Sequence, residues 1–431
     1  MDVCDRYRFI ERVPLSLIVV AWLTAFSPSV LAQETGPSPL PAGWIPTITP
    51  GYFQEPKLLT KAVNATDNYV SDEPKDGLYA EWDNMITGSG WISVGPGYRH
   101  HMLDGQAIVD VSAALSWKLY KVAQGTFELP HLAHDRLSLG AQVMYQDAMQ
   151  VDYFGLGNDS SKSNHSAYRF RNTDILGLAS LRATSWLSLN GRFGWIVGPD
   201  LSEASGPRVP VPNTVDLFNE STAPGISTQP SFLHANVALI ADSRDQPGHP
   251  TSGGLYRVGA ATYSDRGAGT YSFRRYDVEG SQFVPLFTKK WILALHGWGV
   301  FSVTSNGEVV PFYLVPTLGG KNTMRGYNDY RFHDNDMESF GAESRWALYT
   351  HVDAAVFADL GKVAPRASGL DLHDLKSSFG AGLRLHNSRS TLFRLDAGHS
   401  VEGWQVFVKI SDPFSRSAMA TGRSWVVPFV P

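Results

Sequence analysis

Residues 340–361 read FGAESRWALYTHVDAAVFADLG, and apolar and polar side chains alternate along them. One face of the second half carries Val352, Ala354, Val356, Ala358 and Leu360. The other face carries His351, Asp353, Phe357, Asp359 and Gly361. In the first half, Glu343 and Arg345 lie opposite Phe340, Ala342, Trp346 and Leu348. A period of two over about ten residues predicts β-strands.

Similar alternation continues along the chain in both directions. With the glycine-rich segment Gly88–His100 counted first, the segments up to Ile410 give fifteen strand candidates. Bacterial single-chain membrane barrels have an even number of strands. We therefore predict sixteen strands, with one hidden near Leu78–Thr87 or within Pro207–Ser231. No amphipathic helix competes with this all-β interpretation.

The composition excludes several other classes of protein. The 431 residues are 43% apolar and 12% aromatic, which is too hydrophobic for a disordered chain. A single cysteine excludes a disulfide scaffold and a cysteine-ligated zinc fold. A formal net charge of -5 argues against a nucleic-acid-binding protein, which normally has a basic surface.

The N-terminus predicts export. Arg6, Arg8 and Arg12 precede the apolar run Leu15–Phe26, and small residues follow as far as Ala32. This order is typical of a cleaved signal peptide, and the alternative is an N-terminal anchor helix. The expected organisation is a signal peptide over residues 1–32, an irregular periplasmic lead-in over 33–76, a barrel over 77–414 and a C-terminal tail over 415–431.

The rest of the chain has no apolar run of about 18 residues, the length that a membrane-spanning helix requires. If the exported protein is embedded in a membrane, it has to satisfy its backbone groups as a closed barrel. Periodicity alone also fits a soluble sandwich. Together with the motifs described next, the signal peptide and the strand count favour an all-β, transmembrane antiparallel barrel whose apolar face meets lipid.

Four motifs and the strand count resemble those of one known family. Residues 319–327 (GGKNTMRGY) and 357–361 (FADLG) are similar to the long-loop and Phe-x-Asp-x-Gly signatures of the bacterial surface antigen family, the barrels of BamA/TamA type. Residues 153–157 (YFGLG) are similar to its early loop motif, and residues 242–245 (DSRD) with 250–254 (PTSGG) to its mid-barrel turn. Five strand candidates follow the long loop, as in the family's sixteen-stranded barrel.

The long loop supplies the first candidate site. If it folds into the lumen, the Arg325 guanidinium needs a carboxylate partner there, and both Asp359 and Glu343 lie on the lumen-facing side. The resemblance implies the same contact, a lock that pins the loop inside the barrel. The alternative is a plug that only stabilises the fold. The lock residues are Arg325, Gly326, Tyr327, Glu343, Phe357, Asp359 and Gly361.

The seam between the first and last strands is the second candidate site. Proline and glycine form a poor hydrogen-bond ladder, and in relatives of the family a weakly paired seam is thought to open towards the bilayer. The alternative is an irregular first strand or a lead-in turn. The candidate seam residues are Gly88, Gly90, Gly95, Pro96 and Gly97 in the presumed first strand and Val406 in the last.

The resemblance implies insertion or translocation of polypeptides at the bacterial outer membrane. The expected partners are the lipid bilayer, client polypeptides or a periplasmic protein, and the barrel is expected to be a monomer. The alternative is a passive pore or structural surface barrel. The lead-in is too short for the periplasmic polypeptide-transport-associated domains of the family.

We expect no enzymatic activity, cofactor, metal site or nucleic-acid partner. His333, Asp334, Asp336 and Glu338 are interpreted as a solvated acidic loop.

Overall fold

The computed structural model describes residues 49–67, 76–83, 93–206, 211–387, 390–409 and 414. Its main feature is a sixteen-stranded antiparallel sheet that runs in chain order from β1 to β18 and omits only β12 and β13, which form a small sheet of their own. The strands are β1 (Gly77–Asp83), β2 (Ser93–Met102), β3 (Ala107–Ser116), β4 (Lys121–Leu132), β5 (Leu137–Tyr153), β6 (Ser166–Arg182), β7 (Leu187–Glu203), β8 (Phe232–Asp242), β9 (Gly253–Asp265), β10 (Phe273–Pro285), β11 (Trp291–Val303), β12 (Thr317–Leu318), β13 (Phe332–His333), β14 (Asp336–Tyr349), β15 (Val352–Ala364), β16 (Lys376–His386), β17 (Thr391–Ser400) and β18 (Gly403–Lys409).

The all-β fold and the sixteen strands are confirmed. The fold is an antiparallel barrel, and the alternation marks its two faces. In β15, Val356 and Leu360 are exposed on the lipid side, whereas Asp353, Phe357 and Asp359 are buried on the lumen side. Five barrel strands follow the long loop, as expected.

The connections between strands differ at the two ends of the barrel. Residues 103–106, 133–136 and 183–186 are short turns at one end. Residues 154–165, 204–231 and 304–335 are long loops at the other. Because outer-membrane barrels have short periplasmic turns and long extracellular loops, the short-turn end is the periplasmic end.

The lead-in reaches the periplasmic end. Tyr52 N donates to Ala347 O, and Phe53 N donates to Leu348 O, each at 2.9 Å. The prediction of irregular chain over residues 33–76 is wrong for helix α1 (Lys57–Asp67), which begins just after Pro56. Val63 is buried and Leu59, four residues earlier, is half-buried, so one face of the helix is covered.

Helix α2 (Thr214–Leu217) lies in a loop, with short 3₁₀ helices at Lys162–Asn164 and Ala367–Gly369 in two others. In the part of the chain that the structure describes, no helix combines the length and the apolar character needed to cross a membrane. The predicted signal peptide and C-terminal tail lie outside the described residues, as do Gly88 and Gly90.

The assignment of the first strand needs correction. The hidden strand is β1, at the first of the two positions that the sequence predicted for it. Gly95, Pro96 and Gly97 therefore lie in the second strand and pair with Glu81, Ala80 and Tyr79 of the first. They are not seam residues. Val406 does lie in the last strand of the sheet, where it pairs with Ala397.

Close packing explains the glycines of β2 better than weak pairing does. A Cβ at Gly95 would lie 1.7 Å from the Ala113 carbonyl oxygen, and one at Gly97 would lie 2.1 Å from the Tyr79 ring. Pro96 has no N–H to donate. The ladder with β3 accordingly has a gap at this point. Val94 pairs with Leu115, the next pair is Gly97 with Ser112, and Gly95 and Pro96 are skipped.

This packing predicts that Gly95→Ala destabilises the barrel. Because the contact is with backbone, the strands have to move apart, and overpacking of this kind costs about 1–3 kcal/mol. The loss is measured as a change in the free energy of unfolding in urea. The folded fraction at each urea concentration is read from the heat-modifiable electrophoretic mobility of the barrel. Gly125→Ala in β4 is the control, since the nearest atom to its Cβ is 4.0 Å away. Equal stability of the two variants would contradict the close-packing argument.

Candidate functional site in the barrel lumen

The connection over residues 304–335 folds into the lumen. Its two short strands, β12 and β13, pair with each other, joining Thr317 to His333 and Leu318 to Phe332. Loop residues and barrel-wall residues form one buried apolar cluster: Leu318, Met324, Tyr327 and Phe332 from the loop, and Val300, Met337 and Val363 from the wall. Burial of these side chains holds the loop against β11, β14 and β15.

Arg325 lies at the tip of this loop, between two carboxylates of the wall. Its Nε and Nη2 donate to Asp359 Oδ2 and Oδ1 at 2.9 and 2.8 Å, and its backbone N donates to Oδ2 at 3.0 Å. Its Nη1 donates to Glu343 Oε2 at 2.5 Å. The side chains of all three residues are buried. The sequence predicted a contact between Arg325 and one of the two carboxylates, and the structure places Arg325 against both.

The remaining lock residues hold Arg325 or the loop that carries it. The Phe357 ring centre lies 3.6 Å from the central carbon of Arg325, which is a cation–π contact. Gly361 allows the loop to approach, since a Cβ there would lie 3.0 Å from Leu318 Cδ1. Gly326 O accepts a hydrogen bond from Ser400 Oγ at 2.7 Å. Tyr327 is buried in the apolar cluster. The structure thus brings all seven lock residues together.

Four further charged residues complete the cluster. Arg384 donates to Glu343 Oε2 at 2.7 Å and to Asp396 Oδ1 at 2.6 Å. Arg394 Nε lies 3.1 Å from Asp396 Oδ2, and Arg345 Nε donates to Glu343 at 2.8 Å. Sequence reasoning did not identify these residues as site residues. Their alternation with apolar neighbours already placed them on the polar face, but the strand register that brings them together is not visible in sequence.

Comparison with known proteins agrees with this architecture. The Omp85 superfamily domain matches residues 105–402, which is more than half of the chain. The chain belongs to the Omp85 superfamily. The predicted resemblance to the bacterial surface antigen barrels is thereby confirmed, and so is the location in the bacterial outer membrane.

Two solved structures of Omp85-type barrels share the fold. The crystal structure of BamA from Haemophilus ducreyi lacking POTRA domains 1–3 matches with a TM-score of 0.59 and 15% sequence identity, over 78% of this chain and 71% of that one. CdiB from Escherichia coli matches with a TM-score of 0.50 and 13% identity, over 79% of this chain and 64% of that one. No curated protein sequence matches the chain.

A second arginine ties the loop of this Omp85 barrel to its extracellular neighbours. Arg331 Nε donates to Glu402 Oε1 at 2.7 Å, and its Nη2 donates to Ser160 O at 2.7 Å. The motif at residues 153–157 adds a backbone contact, since Gly157 N donates to His333 O at 2.8 Å. The early loop, the long loop and the last hairpin are therefore joined at one place.

The acidic stretch after this contact is not solvated, contrary to the prediction. Asp334, Asp336, Glu338 and His333 are all buried. Burial raises the pKa of Asp334 to about 6 and lowers the pKa of His333 to about 3, because both side chains lose hydration in their charged forms. These side chains therefore belong to the packed interior of the loop and not to a solvated surface.

Phe414 is the described residue that follows the last strand. The strand is described over Gly403–Lys409, and residues 410–413, in the last part of the predicted barrel, lie outside the described residues. The Phe414 side chain lies inside the barrel, where it packs with Phe283, Ile292 and Ala294 and stacks on His296 at a ring distance of 5.1 Å. Phe414 therefore contributes to the packing of the lumen.

At the periplasmic end, His249, Asp353 and His386 place three metal-ligand atoms within 4.8 Å of one another. No metal site was predicted here, because the three residues belong to different parts of the chain. The His249 and His386 rings stack with centroids 3.7 Å apart at an interplanar angle of 9°, so their Nε2 lone pairs run parallel and do not both point at one ion. An Nε2–H that donates to Asp353 explains the contacts without a metal.

The buried lock predicts strong energetic coupling between Arg325 and Asp359. Arg325→Ala leaves two buried carboxylates short of a partner and should cost about 3–5 kcal/mol in the free energy of unfolding. The double variant Arg325→Ala, Asp359→Ala should lose less free energy of unfolding than the two single variants lose in sum. The difference, which is the coupling energy, should be about 1–3 kcal/mol.

Urea unfolding of the four proteins of this double-mutant cycle measures the coupling. The exposed ion pair Lys362–Asp371, at 2.7 Å, provides a matched control cycle, for which about 1 kcal/mol or less is expected. Fully additive effects of Arg325→Ala and Asp359→Ala would show that the lock does not act as a unit.

Proposed function

We propose that this Omp85 barrel takes part in the insertion or translocation of polypeptides at the outer membrane, with no enzymatic step of its own. The observation that carries the proposal is the position of β1 and β18 at the two ends of the barrel sheet. Among the described residues, β1 pairs with β2 and β18 pairs with β17, so each strand has one edge that faces the seam.

The seam between the first and last strands is the place where this sheet can open. β1 and β18 are the terminal strands of the sheet order, so opening there leaves every other strand pair intact. An unpaired strand edge is a template for an incoming strand, which gains main-chain hydrogen bonds on joining it. A client polypeptide that forms β-strands matches this chemistry.

The side chains at the two terminal strands suit a position beside lipid. Leu78 of β1 is 84% exposed, and Trp404 and Val406 of β18 are 65% and 50% exposed. Apolar side chains exposed on a membrane barrel face the acyl chains. A client strand that joined either edge would therefore continue an apolar outer surface and would enter the bilayer sideways.

The filled lumen argues against passage along the barrel axis. Near the extracellular end, buried aromatic residues from the long loop, including Phe312 and Tyr313, pack with Tyr153, Phe170 and Phe232 of the wall. Further inside, the Arg325 lock holds the loop against β14 and β15. These two layers support a route at the seam over a route through the lumen.

Disulfide tethering tests the proposal. In a Cys4→Ser background, which removes the only cysteine, one cysteine is placed at Leu78 or Ala80 and one at Val406. Oxidation should tether the seam and slow the folding of a client barrel into liposomes that contain this protein. Reduction should restore the untethered rate.

The control tether joins Ala397 and Val406, which are direct neighbours in β17 and β18 and leave the seam free. It should not change the rate. If the wild-type protein fails to speed client folding, or if both tethers act equally, the proposal is wrong. Steady ion conductance of the wild-type barrel, without any effect on clients, would instead identify a passive pore.

A further inference from the structure

The lead-in presents two aromatic rings at the periplasmic rim of the barrel. Tyr52 is 52% exposed and Phe53 is 61% exposed. Lys290 Nζ donates to Gly51 O at 3.2 Å and lies 5.3 Å from the centre of the Tyr52 ring. The turn between β10 and β11 therefore holds this part of the lead-in, and about half of each aromatic side chain is left uncovered.

The barrel wall beside the lead-in carries aromatic residues on its lipid-facing side. Trp291 pairs with Trp346, with ring centres 6.1 Å apart, and Tyr349 pairs with Val352. Directly opposed residues share a face of the sheet, and Trp346 and Val352 belong to the apolar face that meets lipid. The Phe53 ring lies 6.2 Å from the Tyr349 ring. The rings of the lead-in therefore continue the lipid-facing surface of the barrel.

The turn between β10 and β11 exposes a third ring. Phe287 is 94% exposed, and its ring centre lies 5.7 Å from that of Trp291. Its φ angle is 59°, and Thr288 N donates to Leu286 O across it at 2.5 Å. Glycine adopts such a tight turn without strain, so the turn itself does not require a phenylalanine. An apolar surrounding outside the protein accounts for the exposed ring.

Two lysines follow Phe287 in the same turn. Lys289 is exposed and Lys290 is half-buried. Among the described residues, two carboxylates line the cavity beside these lysines, and both bind other groups. Asp245 accepts backbone hydrogen bonds from its own turn, and Asp353 lies 3.1 Å from the nearest histidine nitrogen. The positive charge of the turn is therefore available to an anion outside the protein.

We propose that Tyr52, Phe53 and Phe287 lie in the periplasmic leaflet of the outer membrane, where Lys289 and Lys290 bind the phosphate of an anionic phospholipid. Aromatic rings are favoured at the boundary between headgroups and acyl chains, and lysines are attracted to anionic headgroups. A protein partner would also cover apolar rings. Lipid is the occupant that the continuity with Trp291, Trp346 and Tyr349 favours.

Quenching by labelled lipids tests whether the lead-in lies in the bilayer. In the Cys4→Ser background, the refolded full chain carries a fluorophore at Phe53→Cys in bilayers of equal phosphatidylglycerol and phosphatidylcholine content. In separate samples, one lipid or the other has nitroxide-labelled acyl chains, which quench the fluorophore on contact. Both lipids should quench it, and phosphatidylglycerol more strongly.

The control fluorophore is attached at Gln106→Cys, in an exposed turn at the same end of the barrel, and should be quenched much less. If quenching at position 53 does not exceed quenching at position 106, the lead-in lies outside the bilayer and the proposal is wrong.

Matched variants assign the phosphate contact. Lys289→Gln and Arg136→Gln each remove one exposed positive charge at the periplasmic end. The preference for phosphatidylglycerol at position 53 should fall roughly fivefold in Lys289→Gln, which is the effect of one basic residue near an anionic surface. It should stay unchanged in Arg136→Gln. Equal quenching by the two lipids around the wild-type charges, or an equal loss of preference in both variants, would refute the anionic site.

Discussion

The buried charge cluster around Arg325 is the constraint on which the rest of the lumen depends. A guanidinium removed from water is stable only where carboxylates replace its hydration, and here Asp359 and Glu343 do so together. Because Arg384 and Asp396 extend the network, four consecutive strands, β14 to β17, are joined to one loop. The loop has one position in which all these charges are paired, so the same interaction fixes the plug and the wall.

The sequence predicted this cluster only in part. The alternation along β14 and β15 placed Glu343 and Asp359 on the lumen side, and the family motifs pointed to Arg325. Strand register was missing, so the contributions of Arg384 and Asp396, one and two strands further on, could not be assigned. The cluster of His249, Asp353 and His386 was missed for the same reason. His249 is remote in sequence from the other two residues, and only the folded barrel brings them together.

The error at the first strand has a different physical origin. Glycine in a strand indicates either poor pairing or a close approach of neighbouring atoms, and a sequence does not separate the two. At Gly95 the structure shows a close approach to the backbone of β3. The seam lies elsewhere, between β1 and β18 at the two ends of the sheet. The glycines of β2 therefore determine how closely its neighbours pack and not how the seam opens.

The lead-in contacts the periplasmic end of β14 and so connects to the strands that hold the plug. Backbone bonds from Tyr52 and Phe53 to β14, with the Glu55–His351 pair at 2.8 Å, attach the lead-in to the hairpin of β14 and β15. That hairpin also carries both acceptors of Arg325. A displacement of Tyr52 and Phe53 would therefore act directly on the two strands that hold the plug.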